Sequence, residues 1–201
     1  MFCKVLSMGL SGIDGYLVTV EVDCQRWLPI FELLGLPVAA VRESRDRVRT
    51  AMANLGFARV DARTIVNLAP AGAHKSGPLY DLPILLAFLK ASGSVEDLDF
   101  TDSAYLGELS LDGTLRPVAG VLSMAMAARD AGVKRLYVPW ENGAEASVVR
   151  ELEVYPIHSA WEAIDAARGV GSLVPAKRED FSPSGSQEAL PDFSQVRGQA
   201  N

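Results

Sequence analysis

The sequence predicts a mixed α/β domain of the α+β kind, with helices packed on one mixed β-sheet. Three observations predict it. The first third of the chain alternates apolar and polar residues around a short glycine turn, the pattern of antiparallel hairpin strands. The second half alternates short strand-like runs with segments of helical period. Between them lies a nearly all-apolar stretch, residues 82–92. As a helix it has no polar face to offer to water, so it belongs in the middle of the fold.

Each element follows from local chemistry. Cys3 to Met8 and Tyr16 to Val22 alternate around Gly12-Ile13-Asp14-Gly15, which predicts a β-hairpin. Leu28 to Leu36 is apolar and closes on a glycine and a proline, a third strand. The period then changes. Val41, Val48, Met52 and Leu55 share one helical face, and Gly56 stands where a C-cap glycine belongs. Thr64 to Leu68 reads as a strand, followed by the loop Ala69-Pro70-Ala71-Gly72-Ala73.

The apolar helix runs from Leu82 to Ser92. Asp81 is its expected N-cap, Pro83 lies in the first turn where its missing N–H costs nothing, and Gly93 ends it. Ala104 to Ser110 is expected as one strand, with an Asp-Gly hairpin turn at Leu111-Asp112-Gly113-Thr114. Val121 to Ala131 is a helix closed by Gly132, and Leu136 to Val138 is a strand. Ala144 to Arg150 is a short helix, Glu153 to Ile157 a strand and Ser159 to Arg168 a last helix. From Gly169 the composition shifts to Pro, Ser, Gly and charge. Residues 1–169 therefore read as one domain and 170–201 as a linker.

Composition bounds the function. Hydrophobic residues make up 49% of the 201 residues, so a sizeable core is available. The net charge of −6 argues against a surface that is basic all over, while leaving room for a local basic face. No charged and then apolar leader opens the chain, and the longest apolar run, Leu82 to Leu89, is far short of a bilayer. A soluble, cytoplasmic protein with no membrane partner is expected. Cys3 and Cys24 with His74 and His158 make a poor metal set, and no metal site is expected.

Three kinds of site were weighed. Ala69 to Ser76 echoes a phosphate loop because Lys75-Ser76 follows a glycine-containing loop. The glycine positions hold Ala69 and His74, whose β-carbons hinder convergence of backbone N–H groups, so a surface loop is the better reading. Ser76 or Ser123 with Lys75 suggests a Ser–Lys pair, but sequence neighbours do not establish a desolvated amine aimed at a hydroxyl. Between Arg42 and Arg63 six arginines (Arg42, Arg45, Arg47, Arg49, Arg59 and Arg63) face three acids. Those on the helix recur at i, i+3 and i+7 and suit phosphates. A solvated face with intrahelical pairs such as Arg42–Asp46, or a subunit interface, uses the same residues.

Longer stretches resemble known families. Gly107-Glu108-Leu109-Ser110-Leu111-Asp112-Gly113-Thr114-Leu115-Arg116-Pro117-Val118-Ala119-Gly120, and its continuation through Ala127 to Pro139, resemble the Lon protease domain in unbroken register. Lys75-Ser76-Gly77-Pro78 resembles the approach to Lon's catalytic serine. In that register the serine position holds Leu79 and the lysine position holds Leu122. Neither side chain can attack a carbonyl or accept a proton.

The departures are themselves similar to another group. Gly35-Leu36-Pro37, Val41 to Arg49 and Tyr80-Asp81-Leu82-Pro83-Ile84 look like the Lon-like N-terminal domain of Mg-chelatase-like AAA+ ATPases, the group of ComM and YifB. Pro191 to Gln199 is similar to the entry into that family's ATPase module, and no Walker motif occurs before Asn201.

The resemblance implies a fold like the second domain of a small-subunit ribosomal protein, and a parent that is a hexameric ATP-driven ring. It implies ATP and Mg²⁺ in the parent's ATPase module and no cofactor in these residues. The partners it implies are that module, neighbouring ring subunits and DNA. In the competence branch the ring is a helicase that promotes branch migration. The expected role is a non-proteolytic accessory domain. A rewired Ser–Lys peptidase and a partner-binding adaptor are the alternatives.

Overall fold

The structure is a computed structural model that describes residues 1–25, 30–35, 38–58, 60, 62–73, 75 and 78–178. Its centre is a seven-stranded sheet. The chain opens with β1 (Phe2–Ser11) and β2 (Asp14–Gln25), paired antiparallel from Phe2↔Asp23 to Ser11↔Asp14. The connection is two residues, Gly12-Ile13, and Gly12 takes a φ of 63° that a tight hairpin turn demands. Strand β3 (Phe31–Leu34) is shorter than expected; Leu28 and Leu36 lie outside the described residues. Helix α1 (Val38–Asn54) ends at Gly56, whose φ of 83° and backbone bonds to the last turn make the expected C-cap.

Strand β4 (Arg63–Ala69) returns beside β2, and a short 3-10 turn at Pro78–Tyr80 leads into α2 (Asp81–Ser92). Every residue of α2 from Asp81 to Leu89 is buried, so the all-apolar helix occupies the middle of the fold. The chain continues with β5 (Ser103–Tyr105), β6 (Glu108–Leu109), β7 (Leu115–Arg116), α3 (Val121–Asp130) and β8 (Arg135–Pro139). It closes with α4 (Gly143–Ser147), β9 (Glu153–Ile157) and α5 (Ala160–Ala167). Ser159 caps α5 by accepting from the Glu162 N–H.

The strand order is β3-β4-β2-β1-β5-β8-β9, with β6 and β7 in a separate two-stranded ribbon. Pairings β3–β4, β1–β5, β5–β8 and β8–β9 are parallel, and the central β1–β2 and β2–β4 pairings are antiparallel. The result is a mixed α/β fold, mostly parallel and flanked by helices, as the sequence predicts.

Register assigns the faces. Val5, Val20, Leu68 and Leu33 fall on one side, which α1 and α2 cover. Leu10 and Gly15 fall on the other, which α3 covers at close range. A Cβ on Gly15 would stand 2.4 Å from the Ser123 carbonyl oxygen, and one on Gly120 would stand 2.5 Å from a Leu10 methyl. Along one face of the parallel half, Tyr105, Tyr137 and Tyr155 stand in register and stack at 4.6 and 5.1 Å.

Two local expectations are corrected. Asp81 is not the N-cap of α2; Tyr80 holds that position without a side-chain cap bond, and Asp81 is the first helical residue. Its carboxylate turns inward, where tertiary donors outcompete the local backbone N–H groups. The expected strand from Ala104 to Ser110 is broken in two. Gly107 takes a φ of 156°, its N–H donates to the Leu79 carbonyl and its own carbonyl accepts from Leu82 N. The chain leaves the sheet there to stitch itself to the start of α2, a route open to glycine.

The close approach at Gly15 gives a test. Gly15→Ala must push α3 off β2, because the clashing atom is backbone and cannot rotate away. A destabilisation of about 1–3 kcal/mol is expected in urea unfolding. An unchanged midpoint would show that α3 does not sit this close.

Candidate functional site

Helix α1 carries four of the six candidate arginines, and its orientation is set by one carboxylate. Ser44 and Arg47 lie three residues apart on one side of α1, the spacing that stacks side chains along a helix. Ser44 Oγ donates to Asp81 Oδ1 at 2.6 Å. Arg47 donates from Nε to Oδ2 at 2.6 Å and from Nη2 to Oδ1 at 3.4 Å, and the Leu109 N–H reaches Oδ2 at 3.4 Å. The carboxylate lies at the N-terminal turn of α2, where the helix dipole also favours an anion. Four donors from α1 and β6 thus converge on it, with no exposure to water.

Both partners' pKa values shift upward, which disfavours the charge on Asp81 and favours the charge on Arg47. Burial raises the Asp81 pKa, against the hydrogen bonds from Arg47 and Ser44. Burial also works to lower the Arg47 pKa, but the hydrogen bond and charge of Asp81 outweigh it and the net shift is upward. The Arg47 side chain keeps 20% of its surface exposed and Asp81 keeps none. The arginine therefore reports the attraction, and the carboxylate reports the cost of enclosing it. The geometry, with donors on both oxygens, supports an intact ion pair.

This anchor divides the arginines. Arg47 points inward and also pairs with Glu43 at 3.7 Å, an i,i+4 contact. Arg42 and Arg49 are exposed, and among the described residues neither has an ion-pair partner. Arg45 shares its guanidinium with its neighbour Asp46 at 3.0 Å. The intrahelical pairs are thus Glu43–Arg47 and Arg45–Asp46. Arg63 sits on β4 and bonds Glu32 of β3 at 3.3 Å, and Arg59 lies outside the described residues. Among the described candidates Arg47 and Arg63 are paired with acids of other elements, and Arg42, Arg45 and Arg49 form a row along α1.

The positions that the sequence resemblance sets against Lon's dyad are Leu79 and Leu122. Leu79 is buried in the 3-10 turn before α2, and its carbonyl accepts from Gly107. Leu122, in the first turn of α3, is 38% exposed and so is not packed in the core. Its N–H donates to Glu145 Oε1 at 2.9 Å, and Asn142 bonds both the N–H and the carbonyl of Val118 at 2.9 Å. These bonds fix the loop that leads into α3.

Lys75 is buried and desolvation lowers its pKa, but its amine donates to the carbonyls of Pro70 and Ala73. Among the described residues no serine hydroxyl bonds it; Ser76 and His74 lie outside them. Asn142, Glu145 and Ser44 carry no sequence signal that singles them out, because their partners lie 23 to 37 residues away.

The family model for subunit ChlI of Mg-chelatase matches residues 20–142 of this chain, and competence protein ComM of Haemophilus influenzae is 35% identical over 169 residues. The chain belongs to the Mg-chelatase-like ComM/YifB family. An uncharacterized protein of Mycobacterium tuberculosis is 36% identical over 198 residues, covering 98% of this chain and 39% of the relative. ComM is matched over 84% of this chain and 33% of its own length. For the Escherichia coli protein YifB, 38% identical over 138 residues, the shares are 69% and 27%. The chain thus spans about two fifths or less of these relatives. Lon protease 2 of Bacillus subtilis, 26% identical over 125 residues, agrees with a Lon-like fold for this ComM/YifB-family domain.

The anchor can be tested by removing its acceptor. Asp81→Ala leaves Ser44 and Arg47 without their partner; breaking a buried pair this way costs about 3–5 kcal/mol. Because Arg47 keeps partial access to water, a loss near 3 kcal/mol is expected in urea unfolding. A change below about 0.5 kcal/mol, the range of ordinary surface substitutions, would show that the pair does not anchor α1.

Proposed function

We propose that this domain is a non-proteolytic accessory unit of a Mg-chelatase-like AAA+ ATPase, one that helps the ring assemble and engages DNA. The observation that carries the reading is the pairing of a Lon-like scaffold with Leu79 and Leu122 where chemistry would need a nucleophile and a base. A scaffold kept without its reactive groups serves binding or assembly. The resemblance to Mg-chelatase-like AAA+ ATPases is what motivates the ring in this reading. In this reading the ATPase module of the parent holds ATP and Mg²⁺, and the domain's partners are that module, neighbouring subunits in the cytoplasm, and DNA.

The row Arg42, Arg45 and Arg49 supports the DNA part. Guanidinium groups on successive turns of one helix meet phosphates without reading sequence. Arg47 has no part in this, since it is spent on Asp81. Asp46, beside Arg45, competes for that middle guanidinium. Arg42 and Arg49 are therefore the stronger contacts.

The parent ring, with and without residues 1–169, is the material for the experiment. Loss of ring formation or of DNA-stimulated ATP hydrolysis on deletion is expected; an unaltered ring and activity would dismiss the accessory role. The triple change of Arg42, Arg45 and Arg49 to Gln should weaken duplex binding and reduce the slope of log K against log salt by up to about 3, near 0.9 for each phosphate released. A parent with no salt-sensitive DNA binding would leave assembly as the domain's role.

A further inference from the structure

We propose that an apolar cavity at the C-terminal end of α1 holds one unstacked base of a single-stranded DNA, with the strand's phosphates along the arginine row. This rests on the DNA engagement proposed above and extends it from a backbone contact to a base site. The cavity is about 180 Å³ and opens where α1, β3, β4 and α2 meet. Phe31 of β3, Phe88 of α2, Phe57 beyond α1 and Met52 supply apolar lining, and among the described residues Thr64 and Arg49 are its polar side chains. Phe31 and Phe88 have ring centroids 6.3 Å apart, and Phe57 is braced by Trp161 of α5 at 5.2 Å.

Size and charge together select the occupant. A hole of about 150 Å³ takes a benzene-sized ring, whereas drug-sized ligands need about 300 Å³ or more. This cavity therefore takes a single ring system. Its walls are aromatic and sequence-tolerant, as in sites where bases stack on side chains without being read.

Arg49 lines the cavity and has no ion-pair partner among the described residues; Arg42 stands two turns back on the same helix. The rise of a helix sets the Cα atoms of these two arginines about 10 Å apart along the axis. An apolar side chain of a protein partner would fill the hole, but it would leave that cationic row unmatched. A polyanion that carries rings satisfies both features. Duplex DNA keeps its bases stacked and must break a pair to offer one, so the fit is to a single strand.

The experiment uses the full 201-residue chain and fluorescence anisotropy across a salt series. The probes are an oligothymidylate of about 12 nucleotides, an abasic strand of the same length and a duplex. Wild type is expected to bind the oligothymidylate about tenfold more tightly than the abasic strand, and more tightly than the duplex. Ala53→Phe, which adds a ring at an exposed helix position lining the cavity, should erase that tenfold preference and leave the salt slope unchanged.

Equal binding of the abasic strand and the oligothymidylate by wild type overturns the base site while leaving the backbone contact standing. Equal binding of oligothymidylate by wild type and by Ala53→Phe does the same. Absence of salt-sensitive binding to any probe overturns the DNA reading itself, and the base site with it.

Discussion

A carboxylate removed from water governs one whole side of this domain. Asp81 sits at the first turn of a helix buried almost all round, where an anion without partners would be costly. Its partners come from α1 and from the segment that leaves the sheet at Gly107. Three pieces of chain distant in sequence are thereby held in one arrangement. The attraction does little more than offset the desolvation of the carboxylate. What it adds is direction, because the three donors on α1 reach the carboxylate when Ser44 and Arg47 face α2.

That rotation decides what the surface offers. With Ser44 and Arg47 turned inward, Arg42, Arg45 and Arg49 turn outward along the opposite edge of α1. The same packing leaves a ring-sized cavity beside Arg49, bounded by phenylalanines from three other segments. Charge and apolar volume meet there because α1 crosses the end of β3 and β4.

The rest of the Lon-like scaffold is kept rigid without its reagents. Asn142 clamps Val118, Glu145 clamps the start of α3, and Gly107 joins the ribbon β6–β7 to the start of α2. Tyr16 lies across Gly9, where a Cβ would stand 2.4 Å from its ring. These contacts hold the loops that flank Leu79 and Leu122, although nothing at either position can do chemistry.

Much of the fold was legible in the residues themselves. Alternation in Cys3–Met8 and Tyr16–Val22 marks the central hairpin, and the glycines at 56, 93 and 132 mark where three helices stop. The apolar helix is buried as its composition requires. These are short-range facts: a period, a turn or a missing functional group is decided within a few residues. Three features were not legible. Asp81 read as a cap, residues 104–110 as one strand and Arg47 as one more surface arginine, and each changed for the same reason. A buried charge or a freed backbone N–H takes the best partner in space, and here that partner lies up to 37 residues away along the chain.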